Sequence, residues 1–124
     1  MSLHQSGEDY LETILVLQQE KGLVHSIDVA QHLGYSKPSV SRAVSLLKAE
    51  GYLTMAKDGR LELTEAGVAV ARNIYERHRF LTSLLTHLGV SEETAEEDAC
   101  KIEHNISNET FECLKAYVKR HGVC

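Results

Sequence analysis

Residues 26–63 decide the fold, and they read SIDVAQHLGYSKPSVSRAVSLLKAEGYLTMAKDGRLEL. The stretch opens with two short helical patterns, each beginning at a serine that can cap a helix N-terminus, Ser26 and Ser36. Gly34 marks a tight turn between them. Pro38 falls in the first turn of the second helix, where a missing N–H costs least. Two helices joined by a tight turn are the pattern of a helix-turn-helix.

Apolar residues recur at helical spacing in both segments, so each helix has one face that can be buried in a core. In the first helix the inward-facing residues are Ile27, Ala30 and Leu33; in the second they are Val40, Ala43, Val44 and Leu47. Gly51 is expected to end the second helix.

Beyond that glycine the apolar period changes from helical to alternating. Residues 52–55 and 60–63 predict two short strands, and the Asp58-Gly59 pair between them indicates a two-residue hairpin turn. A further helix precedes the stretch: Ser6 can cap it, and its apolar face consists of Tyr10, Leu11, Ile14, Leu15 and Leu17. Three helices followed by a hairpin predict a winged helix-turn-helix.

The second half of the chain predicts three more helices. A long one begins at Thr64 and runs to about Leu88, Ser91 caps a helix to about Ile106, and Asn108 caps a last helix to about Arg120. We therefore predict a mostly α-helical chain of 124 residues with two domains. Residues 1–64 form the winged helix-turn-helix, and residues 65–124 form a helical region.

The net charge of −5 hides one basic segment. Residues 35–60 carry +3, whereas residues 1–34 and 91–124 carry −4 each and residues 61–90 are neutral. The basic segment contains the second helix of the pair and the hairpin, so we expect any polyanion to bind there.

The outward side of that helix has the chemistry of a DNA-binding surface. It carries short hydroxyls beside cations, which can approach a groove closely, bond phosphates and read base edges. Lys57 and Arg60 flank the hairpin tip, where a wing would touch the DNA backbone. The candidates on the helix are Ser39, Ser41, Arg42, Ser45 and Lys48. The plainer interpretation is a solvated helix with ordinary surface charges.

A second constellation, Cys100-x-x-Glu103-His104, lies on a predicted helix of the C-terminal half. Positions i, i+3 and i+4 share one helix face, and apolar residues beside it should leave that face partly buried. A thiol, a carboxylate and an imidazole are costly there unless they are paired, and a divalent metal ion satisfies all three. The alternative is a small buried cysteine beside a solvent-facing Glu-His pair.

Two further features favour a metal site. His78 interrupts the apolar side of the long helix, although a lone histidine there can also be a hydrogen-bonded core residue. Asp9 and Glu12 lie three residues apart on the first helix and can point to one ligand, although acids in a first turn also stabilise a helix by themselves. Six candidate ligands on three helices make a metal site the more economical interpretation.

Composition argues against several classes of protein. The three cysteines are odd in number and confined to the last quarter, which disfavours a disulfide framework and predicts a cytoplasmic protein. No apolar run approaches the roughly 20 residues of a membrane span, and no signal peptide opens the chain, so we expect no membrane association. A zinc hydrolase is the rival enzyme class. With no HExxH motif, no glycine-rich phosphate loop and little room for a pocket, we expect no enzyme and no organic substrate.

With both constellations in view, the chain resembles the DtxR/MntR family of metal-dependent bacterial transcriptional repressors over essentially its whole length. The segments that carry the likeness are Glu8-Asp9-Tyr10-Leu11-Glu12, Ser36-Lys37-Pro38-Ser39-Val40-Ser41, Leu63-Thr64-Glu65-Ala66-Gly67, Arg77-His78-Arg79 and Asp98-Ala99-Cys100-Lys101-Ile102-Glu103-His104. The last of these, paired with the segment around His78, is specific to the family, whereas a winged helix alone fits many families. The DNA-binding residues then predicted are Ser36, Lys37, Pro38, Ser39, Ser41, Arg42, Lys48 and Arg60.

The resemblance also implies a ligand set for a divalent ion that bridges the N-terminal helix and a dimerisation region. Its members are Asp9, Glu12, His78, Cys100, Glu103 and His104. The set is mixed: Cys100 looks like the iron branch, where the manganese branch has a glutamate. Asp9 and Glu12 look like the manganese branch, since iron repressors have methionine at the first position and lack the second acid. We expect a short form without the C-terminal SH3-like domain of the iron branch, and residues 65–124 to serve dimerisation and metal binding.

Ligand chemistry leaves two metals open. Carboxylates favour Mn²⁺ and Fe²⁺, whereas a thiolate favours Fe²⁺, Co²⁺ or Zn²⁺. We predict Fe²⁺ or Mn²⁺ as co-repressor of metal-homeostasis genes and favour Fe²⁺ because of Cys100. We also predict a homodimer on a palindromic operator, because the last three helices hold more apolar residues than one thin layer would bury. Those residues are Leu81, Leu84, Leu85, Ile102, Ile106, Phe111, Leu114 and Val118.

Two alternatives without this mechanism stay open. One is a winged-helix regulator that responds to a non-metal ligand or to cysteine oxidation. The other is a metal-buffering protein that binds no DNA, against which the basic segment argues.

Overall fold

The computed structural model describes residues 5–122. Its elements, in chain order, are α1 (Gln5–Lys21), α2 (Ser26–Leu33), α3 (Lys37–Ala49), β1 (Leu53–Met55), β2 (Leu61–Leu63), α4 (Glu65–His87), α5 (Glu92–Glu103) and α6 (Asn108–His121). They form two compact units that meet between Asn73 and Ile74, within α4. This confirms the predicted fold class, a winged helix-turn-helix followed by a helical region. Within the described range, no helix is long and apolar enough to cross a membrane.

The first unit has one apolar core, built from the inward faces of α1, α2 and α3, with Val24, one buried residue from each strand and Ala71 of α4. The predicted apolar face of α1 is buried as expected, and so is that of α3, except that Ala43 is only partly buried. On α2 the prediction for Ile27 is wrong, because its side chain is 41% exposed while Val29 is fully buried. A helix of two turns has too few apolar positions to fix its orientation, so packing decides which row faces inward.

Three predicted helix starts can be compared directly with the structure. Ser36 caps α3, accepting the backbone N–H of Ser39 at 3.3 Å. Ser91 caps α5 in the same way, accepting the N–H of Thr94 at 3.3 Å. Ser6, in contrast, lies inside α1, which already includes Gln5, so that predicted cap is wrong.

Two other caps are displaced by one residue from the prediction. The N-cap of α2 is His25 rather than Ser26, and its backbone N–H donates to the carboxylate of Asp28 at 2.8 Å. The N-cap of α6 is Ser107 rather than Asn108. In both places neighbouring residues could each act as a cap, and the chain's path into the helix selects one of them.

The hairpin is antiparallel, as predicted, but its turn has three residues rather than two. The N–H of Gly59 donates to the carbonyl of Ala56, and the N–H of Ala56 donates to the carbonyl of Arg60, both at 2.9 Å. Gly59 has φ +88°, a left-handed conformation that suits the third position of such a turn. The turn therefore includes Lys57 as well as the predicted Asp58-Gly59 pair.

Close backbone contacts tie the start of α4 to the segment before the hairpin. The N–H of Thr64 donates to the carbonyl of Tyr52 at 3.1 Å. The Thr64 hydroxyl donates to the carbonyl of Gly51 at 2.6 Å and accepts the N–H of Gly67 at 3.1 Å. A Cβ on Gly67 would lie 2.1 Å from the carbonyl oxygen of Tyr52, which is closer than non-bonded atoms can approach. Only glycine fits this position.

We therefore expect Gly67→Ala to lower the free energy of unfolding by about 2–3 kcal/mol or more, as overpacking does. Intrinsic helix propensity alone would favour alanine by about 1 kcal/mol. A decrease in the free energy of unfolding of Gly67→Ala would therefore indicate the clash with the carbonyl oxygen of Tyr52. Urea denaturation of the full chain measures it. The matched control is Ala66→Gly, an exposed neighbour that should lose about 1 kcal/mol at most. A Gly67→Ala variant as stable as the wild type would contradict the close approach.

Candidate metal centre and DNA-binding surface

The outward side of α3, called here the recognition face, is exposed to solvent. The inward stripe of α3 is packed into the core of the first unit, which fixes which residues point outward. The exposed residues of the predicted DNA-binding set on this helix and its cap are Ser36, Lys37, Pro38, Ser41, Arg42 and Lys48. Ser39 is half-buried, and its hydroxyl accepts a hydrogen bond from that of Ser36 at 2.9 Å. Contact of these residues with DNA stays a prediction.

The hairpin adds two cations beside its tip. Lys57 is exposed, and Arg60 is half-buried with its Nε 3.3 Å from a carboxylate oxygen of Glu62. A partly exposed ion pair of this kind contributes at most about 1 kcal/mol. Arg60 can therefore exchange Glu62 for a phosphate at little cost.

An aromatic contact connects α1 to the turn of the helix-turn-helix, and sequence reasoning missed it. Tyr10 is buried, and its ring meets that of Tyr35 edge-on at a centroid distance of 6.0 Å. Burial raises the pKa of the Tyr10 hydroxyl, Tyr35 adds to the increase, and the positive charge of Arg42 opposes it. The residue that follows Asp9 in sequence thus packs directly against the DNA-binding motif.

Asp9 and Glu12 belong to the first unit, where both are half-buried on α1. Their i, i+3 spacing puts them on one side of the helix. Because α1 already includes Gln5, neither residue lies in its first four residues. The helix dipole acts mainly within the first turn, so it does not account for these two acids.

The second unit brings together three donors at the C-terminal end of α5, called here the α5 donor cluster: Cys100, Glu103 and His104. One ligand atom from each residue, the thiol sulfur, a carboxylate oxygen and a ring nitrogen, lies within 4.8 Å of the others. Cys100 is exposed, whereas the side chains of Glu103 and His104 are each 1% exposed. This is the reverse of a buried cysteine beside a solvent-facing Glu-His pair.

Glu103 lies at the centre of the hydrogen bonds in this region. One of its carboxylate oxygens is 3.2 Å from His104 Nε2, and the other is 2.8 Å from Nδ1 of His78 on α4. His78 therefore joins the cluster through Glu103. Burial by itself raises the pKa of the Glu103 carboxyl, but hydrogen bonding and electrostatic attraction by His104 and His78 together outweigh it and lower the pKa. The site thus holds a buried carboxylate anion at neutral pH.

The donor set fits a divalent metal ion. Ligand–metal distances of about 2.0–2.3 Å place donors that share one ion within about 4.6 Å of one another, close to the spread found in the α5 donor cluster. Thiolate, carboxylate and imidazole are all ligands of Fe²⁺, Co²⁺ and Zn²⁺, and carboxylate and imidazole also suit Mn²⁺. A cation would neutralise the buried carboxylate of Glu103.

Sequence reasoning also missed the role of Arg77, which lies beside the α5 donor cluster. It is 9% exposed, and its Nη1 donates to the backbone carbonyls of Glu103 at 3.1 Å and Ile106 at 2.8 Å. α5 ends at Glu103 with His104 as its C-cap, three residues earlier than predicted. The signal was present in the helical spacing, because Arg77 lies on the same row of α4 as Ile74, which is also buried.

Both halves of the chain match one known family. Residues 2–61 match the N-terminal DNA binding domain of iron dependent repressors, and residues 64–124 match the metal binding and dimerisation domain of the same family. The transcriptional regulator MntR of Escherichia coli is 35% identical over 115 residues, covering 93% of this chain and 74% of the relative. An HTH-type transcriptional regulator MntR of Geobacillus kaustophilus is 37% identical over 102 residues, covering 82% and 72%.

Solved structures agree with this match. The manganese regulator SloR aligns with a TM-score of 0.80 at 28% identity, over 96% of this chain and 55% of SloR. IdeR of T. acidophilum aligns with a TM-score of 0.78 at 27% identity, over 99% of this chain and 56% of IdeR. The chain thus spans slightly more than half the length of these two solved proteins.

Proposed function

The chain belongs to the iron dependent repressor family of metal-dependent transcriptional regulators, and from this premise we propose that it acts as a homodimeric repressor gated by a divalent ion. The observation that carries the proposal is the α5 donor cluster, which places a thiol, a buried carboxylate and an imidazole within 4.8 Å of one another. Its regulated genes would be those of metal homeostasis. Residues 1–64 would bind DNA, and residues 65–124 would bind metal and dimerise. We assign the protein no catalytic activity.

For the ligands, we propose the α5 donor cluster together with His78, Asp9 and Glu12. The contact between His78 and the Glu103 carboxylate, at 2.8 Å, supports including His78. The two acids of α1 come from the family resemblance and from their half-buried, same-side placement. We propose Fe²⁺ or Mn²⁺ as the co-repressor and favour Fe²⁺, because Cys100 adds a thiolate to the carboxylate and imidazole donors. A reducing cytoplasm, where we expect the protein to act, keeps that thiol available.

A switch follows from the charges of these residues. A bound divalent cation would supply positive charge to the proposed carboxylate ligands, which would otherwise repel one another. Asp9 and Glu12, once neutralised, would hold α1 in place, and Tyr10 on the same helix packs against Tyr35 in the helix-turn-helix. In a dimer, two recognition faces would then be held at the spacing of successive major grooves of a palindrome, about 34 Å.

Thermal unfolding with and without metal tests the proposal against a winged-helix regulator that responds to another ligand or to cysteine oxidation. We expect Mn²⁺, Co²⁺, Zn²⁺ or anaerobic Fe²⁺ to raise the melting temperature of the chelator-treated protein. An ion at 100 times its dissociation constant stabilises the folded state by about 2.7 kcal/mol. His104→Ala should lose this response, whereas His87→Ala, which removes an exposed histidine of α4, should keep it. A wild type that no ion stabilises would contradict the proposal.

A further inference from the structure

Arg77 holds the polypeptide on which the α5 donor cluster is built. The last carbonyls of a helix have no partner within the helix and must be satisfied from outside. At the end of α5 one of them, the carbonyl of Glu103, accepts a hydrogen bond from Arg77 Nη1 at 3.1 Å. The same nitrogen donates to the carbonyl of Ile106 at 2.8 Å, just beyond the C-cap residue His104. The two hydrogen bonds therefore hold the backbone on either side of His104, and one of them is accepted by the carbonyl of Glu103 itself.

We propose that Arg77 is a positioning residue for the metal centre, setting the affinity for the ion by fixing the backbone of Glu103 and His104. The inference rests on the proposed metal site. Arg77 would support that site without supplying a ligand atom itself. Its guanidinium lies 5.3 Å from the centroid of the Phe111 ring, which gives the cation a favourable buried surface.

The hydrogen bonds of Arg77 show what orients its guanidinium. Its Nε is buried without a hydrogen-bond partner among residues 5–122. The guanidinium is therefore oriented by the two hydrogen bonds from Nη1 to backbone carbonyls. Burying a guanidinium costs desolvation free energy. The Arg77 guanidinium nevertheless makes no side-chain ion pair with the Glu103 carboxylate. The carboxylate instead meets His78 and His104, which leaves both of its oxygens directed at candidate ligands.

Because a single nitrogen makes both bonds, an ammonium group can replace the guanidinium. We therefore expect Arg77→Lys to keep Co²⁺ affinity within about threefold of the wild type. Arg77→Met, which keeps the apolar stem and loses the donors, should lose affinity at least about tenfold, the usual cost of removing a residue that orients metal ligands. The readouts are the dissociation constant and the absorption spectrum of the Co²⁺-loaded full chain, in which a displaced thiolate or imidazole changes the Co²⁺ bands.

The matched control is Arg79→Met, on the same helix. Arg79 lies 5.7 Å from the ring centroid of Tyr75 and is exposed, so the control removes an identical charge at the surface. It should bind Co²⁺ like the wild type. An Arg77→Met variant with wild-type affinity and spectrum would overturn the inference, even if its melting temperature is lower. A wild type that binds no Co²⁺ would overturn the proposed function itself, a distinct result.

A measurement on the wild type covers the case in which Arg77→Met does not fold. In ¹⁵N NMR spectra of the guanidinium groups, the two bonds from Nη1 should slow rotation about Nε–Cζ and give separate Nη signals for Arg77. Those signals should shift when Zn²⁺ is added, because the carbonyl of Glu103 is one of the acceptors. A single averaged Nη signal, or signals that ignore bound Zn²⁺, would overturn the inference.

Discussion

The Glu103→Gln variant is expected to fold, to bind DNA weakly and to lose its response to metal. Glu103 is 1% exposed, and its two oxygens face His104 at 3.2 Å and His78 at 2.8 Å. Glutamine keeps the shape of the side chain and removes the negative charge. The site then loses the buried negative charge of Glu103 and one of the two acceptor oxygens that face the imidazoles of His104 and His78.

The expected loss is large because we propose Glu103 as a ligand of the ion that couples metal binding to DNA binding. A metal that tightens DNA binding tenfold supplies about 1.4 kcal/mol of coupling free energy. In Glu103→Gln we expect that gain to fall to about twofold or less, measured by fluorescence anisotropy of labelled DNA with and without ion. Circular dichroism would establish that the helices are retained.

A control on the same helix separates this effect from general loss of charge. Glu97 is an exposed acid of α5, and Glu97→Gln should respond to metal like the wild type. If Glu103→Gln responds fully to metal, the site has been assigned to the wrong residues. His104→Ala should behave like Glu103→Gln, since it removes the imidazole from the same cluster.

The Arg42→Ala variant is expected to lose DNA affinity at every metal concentration while its metal affinity stays unchanged. Arg42 is exposed on the recognition face, as is Lys48 six residues further along α3. A direct base contact from arginine is worth about 1–3 kcal/mol, which predicts roughly a 5- to 150-fold weaker complex. If Arg42 contacts a phosphate instead, the salt dependence of binding should also fall by about one charge.

Two measurements on the same variant test this division of labour. Anisotropy titrations give the DNA affinity, and calorimetric titrations without DNA give the metal affinity. Lys119→Ala, which removes an exposed cation from α6, is the control and should bind DNA like the wild type. An Arg42→Ala variant with normal DNA affinity and weakened metal binding would reverse the roles proposed for the two units.

Local patterns were sufficient to predict α3 and the hairpin. The stripe from Val40 to Leu47 repeats over two full turns, and Ser36 caps the helix with its own side chain, so both signals lie within one segment. The turn length was misjudged because Gly59 suits a two-residue turn and a three-residue turn alike. On α2 the short apolar pattern left two orientations open, and only the packing of Val29 settled them.

The candidate metal centre could be predicted only in part, because its organisation depends on contacts between helices. The spacing of Cys100, Glu103 and His104 puts them together on α5, and this is a local property of the sequence. The contact from His78 to Glu103 spans 25 residues, and the bond from Arg77 to the Glu103 carbonyl spans 26. The helical spacing could indicate that Arg77 is buried, but no periodicity encodes its partners, so its hydrogen bonds could be found only in the folded structure.

The measurement that tests metal-gated DNA binding most directly is anisotropy of a palindromic DNA from the protein's own promoter region. The wild type would be titrated first with chelator and then with Mn²⁺, Co²⁺, Zn²⁺ or anaerobic Fe²⁺. We predict that at least one ion tightens binding about tenfold or more, and that the ranking of ions distinguishes iron from manganese as co-repressor. Tight DNA binding that is the same in chelator and in every ion would contradict the gating by metal.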